Sequence, residues 1–156
     1  PININYIICN TKNAKGLKLA KLYKIPFCVL NLDKILNLEF VLRELHKKNI
    51  SLICLAGYMK ILNKQFINKF KKKIINIHPS LLPKYKGLNT FKRVLKNKEK
   101  LTGCTIHYVN NKLDSGKIIL KKRVFIESND TEETLKTKVQ AKEHCAYSES
   151  IINIFR

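Results

Sequence analysis

The chain has 156 residues, 45% apolar and 27% charged, with a formal net charge of +20; that length and balance suit one globular domain with a real core and exclude a disordered polar chain. It holds no run of about 18 or more apolar residues and no basic segment leading into an apolar stretch and a cleavage site, so a soluble, cytoplasmic protein without membrane association is expected. The charge does not by itself indicate nucleic-acid binding. It comes almost wholly from Lys, with Arg only at Arg43, Arg93, Arg123 and Arg156, whereas phosphate and base-edge recognition favour Arg.

Lys is also dispersed beside abundant Asn and Ile, residues that share A/T-rich codons, and no aromatic platform is interleaved with it. Lys71-Lys72-Lys73 and Lys121-Lys122-Arg123 read as solvated strand flanks, and the remaining field can draw in phosphorylated substrates. The five cysteines, Cys9, Cys28, Cys54, Cys104 and Cys145, form no CxxC pair, and four lie in apolar strand-like runs. They are expected to be free buried thiols in a reducing compartment, not disulfides or a metal site.

In chain order, Ile4–Cys9 reads as a strand, and Asn10-Thr11 offers an N-cap to a helix through about Tyr23 with Ala14, Leu17 and Ala20 on one face. Ile25–Leu30 is the next strand. Asp33 opens a second helix, in which Ile35, Leu38, Leu42 and Leu45 recur at helical spacing up to Lys47-Lys48-Asn49. Ser51–Ala56 is near-continuously apolar, as buried parallel strands are, and Gly57 breaks it. A short helix over Gln65–Lys69, a strand over Ile74–Ile77, a two-proline loop over Pro79–Asn89 and a helix over Thr90–Lys98 follow.

Thr102–Val109 and Lys117–Ile126, separated by Asn110–Gly116, suit an antiparallel hairpin, and Asp130-Thr131-Glu132-Glu133 has the form of a capping box opening a last helix to about Ile154. Strands alternating with helices, then a hairpin and a terminal helix, give α/β with a mostly parallel sheet, helices on both faces and an antiparallel hairpin in the C-terminal part. No repeat or linker divides the chain, so residues 1–156 are read as a single domain.

The chemistry concentrates in Asn76-Ile77-His78-Pro79-Ser80-Leu81-Leu82-Pro83 and, further on, Leu113-Asp114-Ser115-Gly116. Asn76 and His78 sit two apart at a strand end and so face the same way. Strand ends are where open α/β sheets place their ligands. An amide, an imidazole and a carboxylate suit proton-coupled acyl transfer. His107 lies in a strand-like run and reads as structural support near the site, while His46 and His144 read as ordinary helix residues.

With these motifs placed, the chain from about Asn5 to about Tyr147 resembles the glycinamide ribonucleotide formyltransferases, within the folate-dependent formyltransferase group. Pro79, Lys84-Tyr85-Lys86-Gly87-Leu88 and Gly103-Cys104-Thr105-Ile106-His107-Tyr108-Val109 carry the likeness to that branch. The resemblance implies a Rossmann-like sheet and transfer of a formyl group from 10-formyltetrahydrofolate, as co-substrate, to the amine of glycinamide ribonucleotide without a metal. It implies small-molecule partners and a monomer or homodimer. His78, Asn76 and Asp114 would be the catalytic imidazole, amide and carboxylate.

Amine attack on the formyl carbon creates an oxyanion, and a donor aimed at such an oxygen is worth roughly 3–4 kcal/mol. Asn76 and a protonated His78 are such donors. Asp114 would favour the charged imidazole and hold a water that relays the proton. By the same resemblance, Leu55–Leu62 lines the folate site, with the backbone of Met59, Lys60, Ile61 and Leu62 on the pterin and Asn76 beside it. Asn110, Asn111, Lys112 and Leu113 close over the pterin, and Lys34 lies near the folate tail. Pro79, Gln140 and Glu143 would meet the substrate, Glu143 receiving its amino end; Gln140, Glu143 and Tyr147 share a helix face.

The resemblance has gaps. Relatives begin with a strand and a Gly-rich turn that binds the substrate phosphate, and Ile4–Cys9 matches what is usually their second strand. They also continue past Arg156. The N-terminal strand and phosphate loop are therefore expected to be missing, the chain truncated at both ends, and substrate binding weakened. Asn89 stands where many bacterial relatives have His. Methionyl-tRNA formyltransferase or formyltetrahydrofolate deformylase activity, an inactive homologue, and a basic nucleic-acid-binding protein are the alternatives.

Overall fold

A computed structural model describes residues 2–31 and 34–156. The expected helix-opening Asp33 and the starting Pro1 lie outside the described residues. By its internal contacts the chain forms two compact units, one running through Ser51 with residues 68–70, the other comprising 52–67 and 71–156.

In the first unit, strands β1 (Ile7–Cys9) and β2 (Phe27–Val29) pair in parallel, Ile8 opposite Cys28. Helix α1 (Gly16–Leu22) lies between them in sequence and buries Leu17 and Ala20. It starts later than its expected cap, because Thr11 Oγ1 accepts the Asn13 N–H at 3.3 Å and closes a local turn instead. Helix α2 (Ile35–Lys47) buries Leu38, Leu42 and Leu45 of the expected apolar stripe and adds Val41, while the side chain of Ile35 lies outside the described residues.

The second unit holds a four-stranded sheet in the order β3 (Leu52–Leu55), β4 (Lys73–His78), β5 (Leu101–Tyr108), β6 (Ile118–Phe125). β3 runs parallel to β4, and β4–β5 and β5–β6 are antiparallel. The mixed α/β class with parallel strands and a C-terminal hairpin is therefore borne out. β3 is an edge strand of this sheet among the described residues, so its apolar run is half-buried and Cys54 is exposed. Of the five thiols expected to be buried, only Cys104 is; Cys145 is exposed on a helix, and Cys9 and Cys28 are half-buried on three-residue strands.

Helix α3 (Lys64–Phe70) is capped by Asn63, whose Oδ1 accepts the Gln65 N–H at 2.7 Å. Helix α4 (Thr90–Lys96) follows the two-proline loop. The long helix α5 (Glu132–Ile154) ends where expected, but its capping box uses Thr131 with Thr134, not Asp130 with Glu133. Asp130 accepts the Thr134 hydroxyl at 2.8 Å. Ile75, Val94, Cys104, Ile106, Val124, Leu135, Val139 and Ala146 form the core between sheet and helices. The Tyr147 hydroxyl donates to the Leu55 carbonyl at 2.6 Å, so this residue ties α5 to β3. Among the described residues no helix is long and apolar enough to cross a membrane.

Candidate active site

β4 ends in Asn76 and His78, on one face of the sheet by strand alternation. The hairpin loop returns Asp114 to His78: Nδ1 lies 3.3 Å from Asp114 Oδ2, with both side chains more than nine-tenths buried. The His78 Nε2–H donates to the Tyr85 carbonyl at 2.8 Å; a carbonyl only accepts, so this nitrogen carries hydrogen and Nδ1 faces the carboxylate. Asp114 Oδ2 also accepts the Gly87 N–H at 2.9 Å, and Oδ1 lies 3.8 Å from His107 Nε2. Asn76 Nδ2 lies 3.4 Å from His107 Nε2.

Local structure explains these placements. Gly116 lets the hairpin close, since a Cβ there would stand 1.6 Å from the Tyr108 carbonyl oxygen. Asp114 adopts φ 43°, a left-handed conformation that Asp tolerates better than most residues. Tyr85 and Gly87 also have positive φ, 57° and 78°, and they turn a carbonyl and an N–H toward the imidazole and the carboxylate. The loop carrying them is pinned to β5: Thr105 Oγ1 donates to the Ser80 carbonyl at 2.7 Å and accepts the Leu82 N–H at 3.1 Å. The Tyr85 hydroxyl donates to Glu99 at 2.8 Å, and Arg93 donates to the Lys86 carbonyl at 2.6 Å while lying over the Tyr85 ring.

A cavity of about 370 Å³ opens beside these groups, within the second unit and within the range typical of small-molecule sites. Asn76, His78 and Asp114 line it together with Met59, Lys60, Ile61 and Leu62, with Asn110, Lys112 and Leu113, and with Pro79, Gln140 and Glu143. Asn111 is absent from that lining. Lys34 belongs to the first unit, exposed at the start of α2.

The sequence reading did not anticipate the Tyr85 carbonyl or the Gly87 N–H, nor the walls formed by Leu88, Phe91 and Lys136. Gly87 inside a two-proline loop was the available signal for a main-chain contact. His107, expected only near the site, lines it. Burial holds His107 below the ordinary His range, against the Tyr108 carbonyl and Asp114, which push the other way. Burial pushes the Glu143 carboxyl up, and His144 partly offsets this.

The sequence pattern of formyl transferases matches residues 2–151. The chain belongs to the formyl transferase family. Among family members, a phosphoribosylglycinamide formyltransferase of Haemophilus influenzae is 39% identical, over 94% of this chain and 71% of that protein. The trifunctional purine biosynthetic protein adenosine-3 of Chironomus tentans is 40% identical over 95% of this chain, which spans only 11% of that much longer protein. The crystal structure of phosphoribosylglycinamide formyltransferase from Anaplasma phagocytophilum superposes with a TM-score of 0.90 at 40% identity, covering 96% of this chain and 72% of that one. The likeness to this branch of the formyl transferases, drawn from the motifs alone, is thereby borne out.

Proposed function

We propose that the chain, acting as one formyltransferase-like domain, moves a formyl group from 10-formyltetrahydrofolate to the amine of glycinamide ribonucleotide in purine biosynthesis. One observation carries the reading: an amide, an imidazole and a carboxylate line one cavity together, beside apolar side chains such as Met59, Ile61, Leu62 and Leu113. The names and structures of the relatives support the choice of substrates.

The cavity suits a flat, partly polar ring. Met59, Ile61, Leu62 and Leu113 supply apolar surface, and the main chain at 57–63 runs outside helix and strand, so the peptide groups of Met59, Ile61 and Leu62 are not committed to a ladder. The folate supplies the formyl carbon; Asn110 and Lys112 on the hairpin loop flank its ring, and Asn111 serves it further out. Pro79, Gln140 and Glu143 hold the ribonucleotide. Glu143, as carboxylate, holds the incoming amino group; as the free amine it attacks the formyl carbon, the bond from that carbon to the folate nitrogen breaks, and the proton given up by the amine passes through a water on Asp114 to that leaving nitrogen, releasing tetrahydrofolate.

His78 divides its labour between its nitrogens. Nε2 is fixed on the Tyr85 carbonyl, so Nδ1 faces the reacting atoms and shares its proton between Asp114 Oδ2 and the oxygen of the formyl group as negative charge develops there. Asn76 donates to the same oxygen from its amide. The His78 and Asp114 side chains are more than nine-tenths buried, and such donors are strongest where water is kept out. Asp114 is held against loss of orientation by the Gly87 N–H, and the water that relays the amine proton would bond its carboxylate.

The test is tetrahydrofolate release from 10-formyltetrahydrofolate with glycinamide ribonucleotide, formylatable methionyl-tRNA or water alone as acceptor. Stimulation by the ribonucleotide only, with His78→Ala lowering kcat by about 100-fold or more, supports the reading. Stimulation by methionyl-tRNA, release into water at the same rate, or no turnover by a folded, folate-binding chain overturns it.

A further inference from the structure

We propose that His107 is a positioning residue: as a neutral ring protonated on Nδ1, it accepts a hydrogen bond from Asn76 Nδ2 and so fixes which way round the Asn76 amide faces the cavity. Its kinetic consequence rests on the formyl-transfer reading above; its geometry does not.

Asn76 and His107 are direct cross-strand partners in the β4–β5 register, so their side chains rise from the same face of the sheet. Where β5 pairs with β6 the register shifts between Ile106 and His107. Such irregularities re-aim a side chain at the cost of one ladder position. The ring so placed is 3% exposed.

Its tautomer follows from its neighbours. Nδ1 lies 2.8 Å from the Tyr108 carbonyl, an acceptor only, so Nδ1 carries hydrogen. A neutral ring then offers a lone pair at Nε2, and the Asn76 group that can meet a lone pair is the NH₂ edge, found there at 3.4 Å. One amide hydrogen is directed at His107, and the second is left to serve the cavity. A charged ring would set an N–H against that NH₂. The amide would then turn over to present Oδ1 to His107, moving its donor edge away from its present place.

The groups facing His107 are Asp114 and His78 on the cavity wall, Lys86 from the two-proline loop and the Tyr108 carbonyl of its own strand. Desolvation is the largest influence and favours the neutral ring; His78 and Lys86 add to it, and the Tyr108 carbonyl and Asp114 oppose it. The neutral form therefore persists to a lower pH than for an exposed His. Acidification below that point charges the ring and reorients the amide.

Nitrogen-15 NMR of the wild-type chain with labelled His reads the tautomer directly. The expected result near neutral pH is a protonated Nδ1 and an unprotonated Nε2 on His107. A doubly protonated ring, or hydrogen on Nε2 alone, overturns the proposal whether or not the chain turns over. In the transfer assay His107→Leu, which removes the acceptor, lowers kcat by about tenfold or more, a fraction of the loss of a whole oxyanion donor, with KM for the formyl donor little changed. His107→Gln keeps an acceptor without a titrating ring. It raises kcat above the Leu variant and abolishes the acid limb that His107 contributes. Equal kcat in all three chains, or an acid limb unaltered in His107→Gln, refutes the assignment; should His107→Leu not fold, the Gln profile and the NMR decide it. A wild type without formyl transfer defeats the functional reading alone.

Discussion

Replacing Asp114 by Asn changes charge and leaves shape. The carboxylate accepts the Gly87 N–H at 2.9 Å and faces His78 Nδ1 at 3.3 Å through the same oxygen, and it is buried to 9% exposure. An Asn oxygen can keep the Gly87 contact, so the loop conformation survives and the loss falls on the His78 side. A hydrogen bond involving a charged group contributes about 1.5–3 kcal/mol. At about 1.4 kcal/mol per decade, removing the anion should lower kcat between about tenfold and 150-fold. The measurement is steady-state release of tetrahydrofolate from pH 5 to 9, with thermal melting of both chains alongside. Expected is a large fall in kcat with a changed pH profile and a melting temperature close to the parent's. A profile superimposable on the parent's would refute the claim that this carboxylate governs the imidazole, and a collapse in melting temperature would move its role from chemistry to folding.

Two further outcomes follow from the same unit. Gly116→Ala puts a methyl group into the Tyr108 carbonyl, and forcing the hairpin apart should cost about 1–3 kcal/mol or more, read as a lower urea midpoint with reduced activity. Glu143 is pushed up by burial; an acid whose folded value lies above its unfolded one stabilises the fold below the unfolded value, and that contribution is lost as pH rises through the folded one. Glu143→Gln should therefore raise the melting temperature at pH 8 and leave it nearly unchanged at pH 4, while raising KM for the amine substrate. No gain at pH 8 would show that the burial is relieved by solvent.

Much of this was legible in the residues. The period of Leu38, Leu42 and Leu45 marks α2, the hairpin is bounded by Asn110 and Gly116, and Asn76 and His78 lie two apart on a strand that ends in proline. What failed was local competition and edges. Thr11 closes a turn where a helix cap was expected, and Thr134 replaces Glu133 in the capping box because the cap is Thr131 and the third helical position therefore falls at 134. β3 reads as buried because composition reports apolarity, and says nothing of whether a strand has a neighbour on each side. The ring nitrogen used by each histidine was invisible too, since it depends on main-chain groups that no residue letter encodes.

Those main-chain groups have an evolutionary corollary. The imidazoles of His78 and His107 and the carboxylate of Asp114 are each anchored on peptide atoms, those of Tyr85, Tyr108 and Gly87. Peptide atoms are present whatever the codon specifies. A lineage whose base composition steadily replaces its side chains with Lys, Asn and Ile can thus erode most of its surface while these three anchors stay in place, provided the backbone at 85 and 87 can still bend to the left.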